Sequence, residues 1–438
     1  MSLLEAIPET PTSDSGITSG FERADGKILR TLSYSGRTSV TSVPDLAPEA
    51  DGLSSWWRAY LGGETPHVVQ EGLGGRPLRT VELFCGPGGL ALGFRQACLE
   101  LGSSATPLFV VDQDEEAVQV HARNHGSRVT STASVGSLVD YHVRGSREKA
   151  SFHYPPEIVD DSLGQFVGEV DVVLAGPPCQ GHSNLNNQSR RSDPRNELYM
   201  TVPAIALALG APIVIIENVP AVVHDDLGVV AATKAILEAA GYSVTTEVIC
   251  AAKMGWSQTR SRFFLVARKD RPVIDLMEVQ KAFSDEARNV MWAMQGAGEL
   301  EDPPYMTELA DLSAENLSRI KWLFDNKAHD LALSERPDCH KDGTTYTSVY
   351  GRLHADKPSP TITTGFMTPG RGRYIHPIER RLITPREAAR IQAFPDTYCF
   401  APNDEAVPSK KKITKWIGDA VPMPLGHAAA MAALLPGW

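Results

Sequence analysis

Short apolar, β-rich runs alternate with stretches of helical periodicity between Leu78 and Arg268, and this alternation constrains the fold more than any other feature of the chain. The β-rich runs lie at 79–84, 107–111, 171–174, 212–216 and 263–267, and helical stretches at 90–101 and 115–124 follow the first two. Strands separated by helices pair side by side only after a crossover, so the expected architecture is α/β with a doubly wound, mostly parallel sheet. In such a sheet ligands bind beyond the carboxyl ends of the strands.

After residue 268 the alternation fades, which divides the 438 residues into four parts. Residues 1–75 form an N-terminal extension, rich in Ser, Thr, Pro, Gly and acid and expected to be largely irregular. Within it, 54–61 with Trp56 and Trp57 reads as a short helix docked on the body, and 72–75 as a linker. Residues 76–268 carry the sheet, 269–405 a second, smaller domain, and 406–438 a segment that returns to the first. No stretch approaches the ~18 apolar residues of a membrane span, and the N-terminus has neither the basic start nor the apolar run of a secretory signal.

Cysteines at 85, 98, 179, 250, 339 and 399 form no Cys-x-x-Cys pair. That argues against zinc or a disulfide framework and for a reducing, cytoplasmic setting. Cys339-His340 has no second ligand pair near it. The net charge of −11 disfavours nucleic acid on its face, but binding depends on where charge is placed. The first 75 residues are acid-rich, whereas Arg371, Arg373, Arg380, Arg381, Arg386 and Arg390 cluster, opposed locally by Glu379 and Glu387. Such a cluster reads either as a solvated face or as a basic surface.

Four motifs sit at strand ends. Phe84-Cys85-Gly86-Pro87-Gly88-Gly89 joins a strand to a helix, and its glycines permit a tight turn and close approach of a ligand. Gly86-x-Gly88-x-x-Ala91 also fits a relaxed dinucleotide fingerprint or a purely structural turn. Asp112 ends the next strand, where an acid accepts from ribose hydroxyls, so the pair points to an adenosine-type ligand without naming it. In Gly176-Pro177-Pro178-Cys179-Gln180-Gly181 two prolines fix the backbone ahead of a thiol, either a nucleophile or a buried inert cysteine. Glu217-Asn218-Val219 follows an apolar strand; a carboxylate half-removed from water there has a raised pKa and holds a proton, or else caps the next helix. Gln258-Thr259-Arg260-Ser261-Arg262 puts two cations on one face of a strand, for an anion or as an exposed basic edge.

In order and content these motifs resemble the cytosine-5 DNA methyltransferase family. Arg195-Asn196-Glu197-Leu198, the tract Ser359-Pro360-Thr361-Ile362-Thr363-Thr364, Arg390-Ile391-Gln392-Ala393-Phe394-Pro395 and Gly418-Asp419-Ala420-Val421-Pro422 match its later blocks, so the resemblance spans about 78–430. It implies an S-adenosylmethionine-dependent methyltransferase fold with a target-recognition domain. Cys179 would attack carbon 6 of a cytosine flipped out of duplex DNA, so that carbon 5 takes a methyl group. Glu217 would contact ring nitrogen 3, while Arg260 and Arg262 steady the base and the thiolate. The resemblance further implies that Phe84, Gly86, Gly88 and Gly89 line the methionine side of the S-adenosyl-L-methionine pocket, that Asp112 takes the ribose, and that Gln113 lies against the adenine. Pro178, Leu198, Asp419, Ala420 and Val421 would complete that pocket.

For the DNA, the resemblance implies contacts from Gln180, Ser183, Arg371 and Arg373, with 269–357 reading the sequence. Two features depart from the family: Asp419 stands where asparagine is usual, and Gly136-Ser137-Leu138, nearest to the third motif, lacks its acid. The expected partners are double-stranded DNA and a cognate restriction endonuclease, with the chain a monomer. A tRNA methyltransferase of the same chemistry, a silent DNA-binding regulator and a nicotinamide oxidoreductase remain as alternatives. In a eukaryote the setting would be nuclear.

Overall fold

The computed structural model describes residues 16–46, 49–69, 75–178, 198–338 and 348–437. Cys179, Gln180, Ser183, the 195–197 part of the block before Leu198, and Cys339-His340 lie outside the described residues.

The chain opens with an antiparallel sheet of β1 (Thr18–Ala24), β2 (Lys27–Tyr34) and β3 (Arg37–Pro44), to which β4 (His67–Val68) adds after helix α1 (Gly52–Leu61). Order at 18–44 overturns the expectation of a largely irregular extension, although the helix at 52–61 was anticipated. Two features hid the strands. Their composition is rich in Ser and Thr, and the inward-facing alternation of β2 reads Ile28, Arg30, Leu32, with a charge in the middle of the apolar set. The turns were nonetheless visible: Asp25-Gly26 and Ser35-Gly36 have positive φ at both positions, the tight hairpin geometry such dipeptides favour.

Seven strands form the main sheet, in the order β14-β15-β13-β12-β5-β6-β7. These are β5 (Leu78–Leu83), β6 (Ala105–Val111) and β7 (Val129–Ser131) on one side of the chain reversal, then β12 (Val172–Ala175), β13 (Ile213–Asn218), β14 (Ser243–Cys250) and β15 (Ser261–Arg268) on the other. Pairing is parallel from β13 to β7, whereas β15 runs antiparallel to both β13 and β14. The mostly parallel sheet expected from sequence is therefore present. Its strand order reverses between β5 and β12, and the crevice at such a switch point is where doubly wound sheets bind ligands.

Between β7 and β12 the chain makes two short ladders, β8 (Val139–Asp140) with β11 (Glu157–Ile158) and β9 (Val143–Arg144) with β10 (Ser151–Phe152), and the turn of helix α4 (Asp161–Gly164). Helices α2 (Gly89–Glu100), α3 (Glu115–His125), α5 (Leu198–Leu209) and α6 (Val229–Ala239) are the crossovers. One face of the sheet buries Leu174, Ile215 and Phe264 against α2, α7 (Leu276–Ala282) and the C-terminal α13 (Met423–Leu434). The other buries Val173, Val214 and Leu265 against α5 and α6. Alternate residues of a single strand thus enter two cores, which is why these strands read as continuous apolar runs.

A third hydrophobic cluster gathers α8 (Val290–Met294), α9 (Pro304–Thr307), α10 (Ala314–Asp325), β17 (Arg373–Ile375), α11 (Pro385–Ile391) and α12 (Lys410–Asp419), and includes Ala117 and Val120 of α3; β16 (Gly351–Arg352) pairs with β17. Helix α7 packs on β14 and α13, so the segment just after residue 268 still belongs with the sheet. Among the described residues no helix is long and apolar enough to cross a membrane.

The N-terminal sheet is locked to the body by a buried charge cluster. Arg30 Nη1 donates to Glu100 Oε1 at 2.6 Å, and His427 Nε2 lies 2.8 Å from Glu100 Oε2. Burial alone would raise the Glu100 carboxyl, but Arg30 and His427 outweigh it and hold its pKa below the ordinary value. Removing one partner of such a cluster leaves a charge buried without compensation. Arg30→Ala is therefore expected to lose about 3–5 kcal/mol of stability in urea denaturation, far more than an exposed arginine would. A loss under about 1 kcal/mol would show that the N-terminal sheet is only loosely attached.

Candidate active site

The strand ends at the switch point carry the glycine loop and the Pro-Pro turn. After β5, Phe84 adopts φ 53°, a left-handed conformation rare for a bulky residue. The loop that follows is held by the neighbouring strand: Cys85 N–H donates to the Val111 carbonyl at 3.1 Å and Gly86 N–H to Asp112 Oδ2 at 3.0 Å. Asp114 N–H donates to the other Asp112 oxygen at 2.9 Å. Each carboxylate oxygen thus has one backbone partner and keeps a lone pair for another donor. Gly89 starts α2 so close to the closing motif that a Cβ there would lie 2.7 Å from the Val421 carbonyl oxygen and 3.1 Å from Ala420 Cβ, so the position requires glycine. Desolvation first, then the charges of Asp112 and Glu82, push the Cys85 thiol well above the ordinary range.

One strand over, Glu217 and Asn218 end β13 in buried positions. Asn218 Nδ2 donates to the Pro177 carbonyl at 3.2 Å, tying the Pro-Pro turn that precedes Cys179 to the residue after Glu217. Because β15 runs antiparallel to β13, its start lies beside the end of β13, and Arg262 Nε comes within 2.9 Å of Glu217 Oε1. Burial raises the Glu217 carboxyl above the ordinary range; Arg262 and Arg260 pull it down and Asp419 pushes it up, and burial wins. The raised pKa expected of a half-buried strand-end acid is borne out.

Arg260 and Arg262 both bear on Glu217, but they differ in their other partners. Arg260 precedes β15 and is almost wholly buried, with Nη1 donating to the Ile362 carbonyl at 2.7 Å and Nη2 to the Asp419 carbonyl at 3.3 Å. Gln258 accepts from Ile362 N–H at 3.3 Å and donates to the Ile391 carbonyl at 2.9 Å and to Gln392 Oε1 at 3.0 Å. Gln392 in turn donates to the Ile417 carbonyl at 2.5 Å. The motifs around 258, 359, 390 and 418 are thereby brought into one place. The Asp419 side chain, the departure from the family, is taken by Lys415 at 2.7 Å.

A profile of C-5 cytosine-specific DNA methylases matches residues 78–433. The chain belongs to that family. Among curated relatives it is 37% identical to the Type II methyltransferase M1.BsuMI of Bacillus subtilis (strain 168), over 82% of this chain and 80% of that protein. It is 27% identical to the Type II methyltransferase M.AgeI of Thalassovita gelatinovora, over 81% of this chain and 98% of that one. The S. pombe Dnmt2 methyltransferase superposes with a TM-score of 0.53 at 15% identity, covering 82% of this chain and 98% of that one, which attests the shared fold. The chain is thus a DNA cytosine-5 methyltransferase, an enzyme of S-adenosylmethionine-dependent chemistry acting on DNA.

The residues present fit a nucleoside-bearing donor of that kind. Gly86, at φ 51°, has open space where a Cβ would project, and Asp112 keeps acceptor capacity beside it. Leu198 opens α5 with its Cδ2 3.3 Å from the Cβ position of Gly136, so the Gly136-Ser137-Leu138 segment lies beside Leu198. Gln113 is exposed and Pro178 half-buried at the turn.

The arginine-rich tract is not the basic surface it suggested. Arg373 pairs with Asp330, Arg380 with Asp325, Arg381 with Glu379 and Glu387, Arg386 with Asp302, and Arg390 with Asp396. Several of these acids come from far along the sequence, so local composition could not reveal the pairing. Arg371 alone of the six is exposed without a recorded ion pair among the described residues. Sequence reasoning also missed Tyr199, whose buried hydroxyl has no hydrogen-bond partner among the described residues and is pushed up by burial and by the charge of Glu217. It missed Tyr398 and His125 behind the glycine loop as well. A single aromatic or histidine, in a helix as at Tyr199 and His125 or in a loop as at Tyr398, carries no motif, so only its neighbours identify it.

A folded-state pKa above the unfolded one means that protonation favours the native state. That contribution is complete below the unfolded value of ~4.3 and is lost as pH rises through the folded pKa. In urea denaturation, wild-type stability relative to Glu217→Gln is therefore expected to fall as pH is raised from about 4 to 7. Movement in the opposite direction would mean that the arginines outweigh burial.

Proposed function

We propose that Cys179 is the covalent nucleophile and that Glu217, Arg262 and Arg260 serve the cytosine it attacks. The observation that carries this reading is the Asn218–Pro177 hydrogen bond, which ties the chain two residues before Cys179 to the strand end that bears Glu217. Attack of the Cys179 thiolate on carbon 6 forms an S–C bond and moves the ring π electrons towards carbon 5 and nitrogen 3. Glu217, with its carboxyl biased towards the protonated form, shares its proton with nitrogen 3 and limits the charge that develops there. Arg262 fixes the orientation of Glu217, and Arg260 acts by holding the closing motif. S-adenosyl-L-methionine, when bound, supplies the methyl group that carbon 5 takes up. Loss of the carbon 5 proton with expulsion of the Cys179 sulfur restores the ring.

Phe84, Gly86, Gly88, Gly89, Asp112, Gln113, Pro178, Leu198, Asp419, Ala420 and Val421 form the donor pocket in this reading, supported by the fixed Asp112 carboxylate and the contact of Gly89 with Val421. Residues 269–405 read the target, with Gln180, Ser183 and Arg371 among the DNA contacts. Arg373 is better assigned to holding Asp330 and the carbonyls of His329 and Arg352. The chain acts as a monomer in the cytoplasm, as the modification partner of a cognate restriction endonuclease.

Cys179→Ser should abolish transfer of labelled methyl groups to duplex DNA while binding S-adenosylhomocysteine as the wild type does. Target DNA carrying 5-fluorocytosine should trap the wild type in a denaturation-resistant complex. Turnover by the serine variant, or label appearing in tRNA and not in DNA, would defeat the assignment. Arg371→Ala should weaken binding to all DNA sequences alike and lower the slope of log affinity against log salt by about 1.

A further inference from the structure

Behind the glycine loop, His125, Tyr398 and Pro87 form a hydrogen-bonded series. The Tyr398 hydroxyl donates to the Pro87 carbonyl and lies 3.1 Å from His125 Nε2. Burial, and then the neighbouring His121 and Arg95, hold the His125 pKa well below the ordinary value, so the ring is neutral. The ring also hydrogen-bonds the Gly88 backbone, so the imidazole is held between the glycine loop and the Tyr398 hydroxyl. The fit is close on the loop side. Gly88 has φ 97°, and a Cβ on it would lie 2.6 Å from His125 Nε2 and 2.8 Å from Tyr398 Oη.

Tyr398 is itself held from two directions. Its ring packs on Phe394 and Phe400, with centroids 4.7 and 5.2 Å away. Its N–H donates to the Pro395 carbonyl at 2.9 Å, in a turn where Ala393 takes the unusual φ of 64°. Arg390 grips the same turn through Asp396 at 2.7 and 2.6 Å. The remaining support comes from α1: the Tyr60 hydroxyl donates to the Ala393 carbonyl at 2.7 Å, and Asp396 N–H donates to the Leu61 carbonyl at 2.7 Å. Helix α1 lies outside residues 78–433, so this support comes from beyond the part of the chain that matches the family.

We infer that Tyr398 is a positioning residue for the glycine loop, and that α1 of the N-terminal unit acts on that loop through the 393–398 turn and Tyr398. The inference rests on reading Phe84–Gly89 as the loop that receives the methyl donor. A peptide flanked by glycines rotates at little steric cost, so a loop of this composition has several conformers unless a carbonyl is pinned. The Tyr398 hydroxyl pins Pro87. Without it, donor binding has to order the loop, which weakens affinity while leaving the chemistry at the base untouched once the donor is bound.

Tyr398→Phe keeps the ring and removes only the hydroxyl. In calorimetric titration its Kd for S-adenosylhomocysteine should rise about five- to tenfold, the effect of one lost hydrogen bond. KM for S-adenosylmethionine should rise in parallel, with kcat at saturating donor and KM for DNA unchanged. Tyr60→Phe should raise the same Kd by a smaller factor, and the increment should vanish in the Tyr398→Phe background, because both act along one route. Wild-type affinity in Tyr398→Phe, or a fall in Tm with kcat and not affinity reduced, would overturn the role of Tyr398. Additive effects of the two variants would overturn the route from α1. Failure of the wild type itself to bind S-adenosylhomocysteine would instead overturn the reading of the loop, and the inference with it.

Discussion

The structure turns on a buried knot of amide and guanidinium groups made by Gln258, Gln392 and Arg260. Between them they contact the backbone at Ile362, Ile391, Ile417 and Asp419, which lie in or beside three different sequence motifs. A backbone carbonyl shut away from water costs free energy unless something donates to it; Ile391, Ile417 and Asp419 lie in the last turns of α11 and α12, where the helix supplies no further donor, and Ile362 lies in a loop. Long polar side chains supply it instead, Gln258 and Arg260 from one short segment and Gln392 from the end of α11. Because each carries more than one donor or acceptor, each joins loops that would otherwise be independent. The closing motif is set by this knot, and through the contact of Val421 with Gly89 so is the start of α2. The proposed donor pocket and the proposed base pocket are thus fixed relative to one another through these side chains.

The N-terminal unit adds a second set of constraints from outside the family core. Arg30 reaches into the body to meet Glu100 and His427, while its guanidinium lies 5.4, 5.8 and 5.3 Å from the ring centroids of Phe21, Trp56 and Phe283. Helix α1 meets both halves of the chain. Trp57 packs edge-on to Trp256, which packs on Trp292, and Arg288 joins Asp51 and Ser54. A unit so placed braces the sheet against the segment proposed to read DNA.

Charge is organised by pairing. The chain is acidic overall, at −11, and spends most of the arginines of its densest basic tract on internal carboxylates. Arg386 and Arg390 are buried, so their pairing with Asp302 and Asp396 is a condition of folding and leaves them unable to contact phosphate. An acidic protein can still bind DNA, but through few cations placed where the duplex lies, and Arg371 is the one in this tract whose exposure suits that task.

Much was legible in the sequence. Periodicity of 2 against 3.6, with glycine and proline at the changes, determined five of the seven strands, β5, β6, β12, β13 and β15, and the first two crossovers, α2 and α3, because those signals are local consequences of burial on two faces. The motifs at strand ends determined the family and named Glu217, Asp112 and the glycine loop, because chemistry demands particular side chains at particular turns. What tertiary structure alone decided is whatever depends on partners distant in the chain. The N-terminal strands escaped notice because Arg30 breaks their apolar alternation, and only Glu100, 70 residues away, makes that charge tolerable. The arginine tract misled because its acids come from elsewhere. Arg260 looked like a twin of Arg262 until the loops around Ile362 and Asp419 closed over it. Spacing along a chain states which way a side chain can point; which group meets it there is settled only by folding.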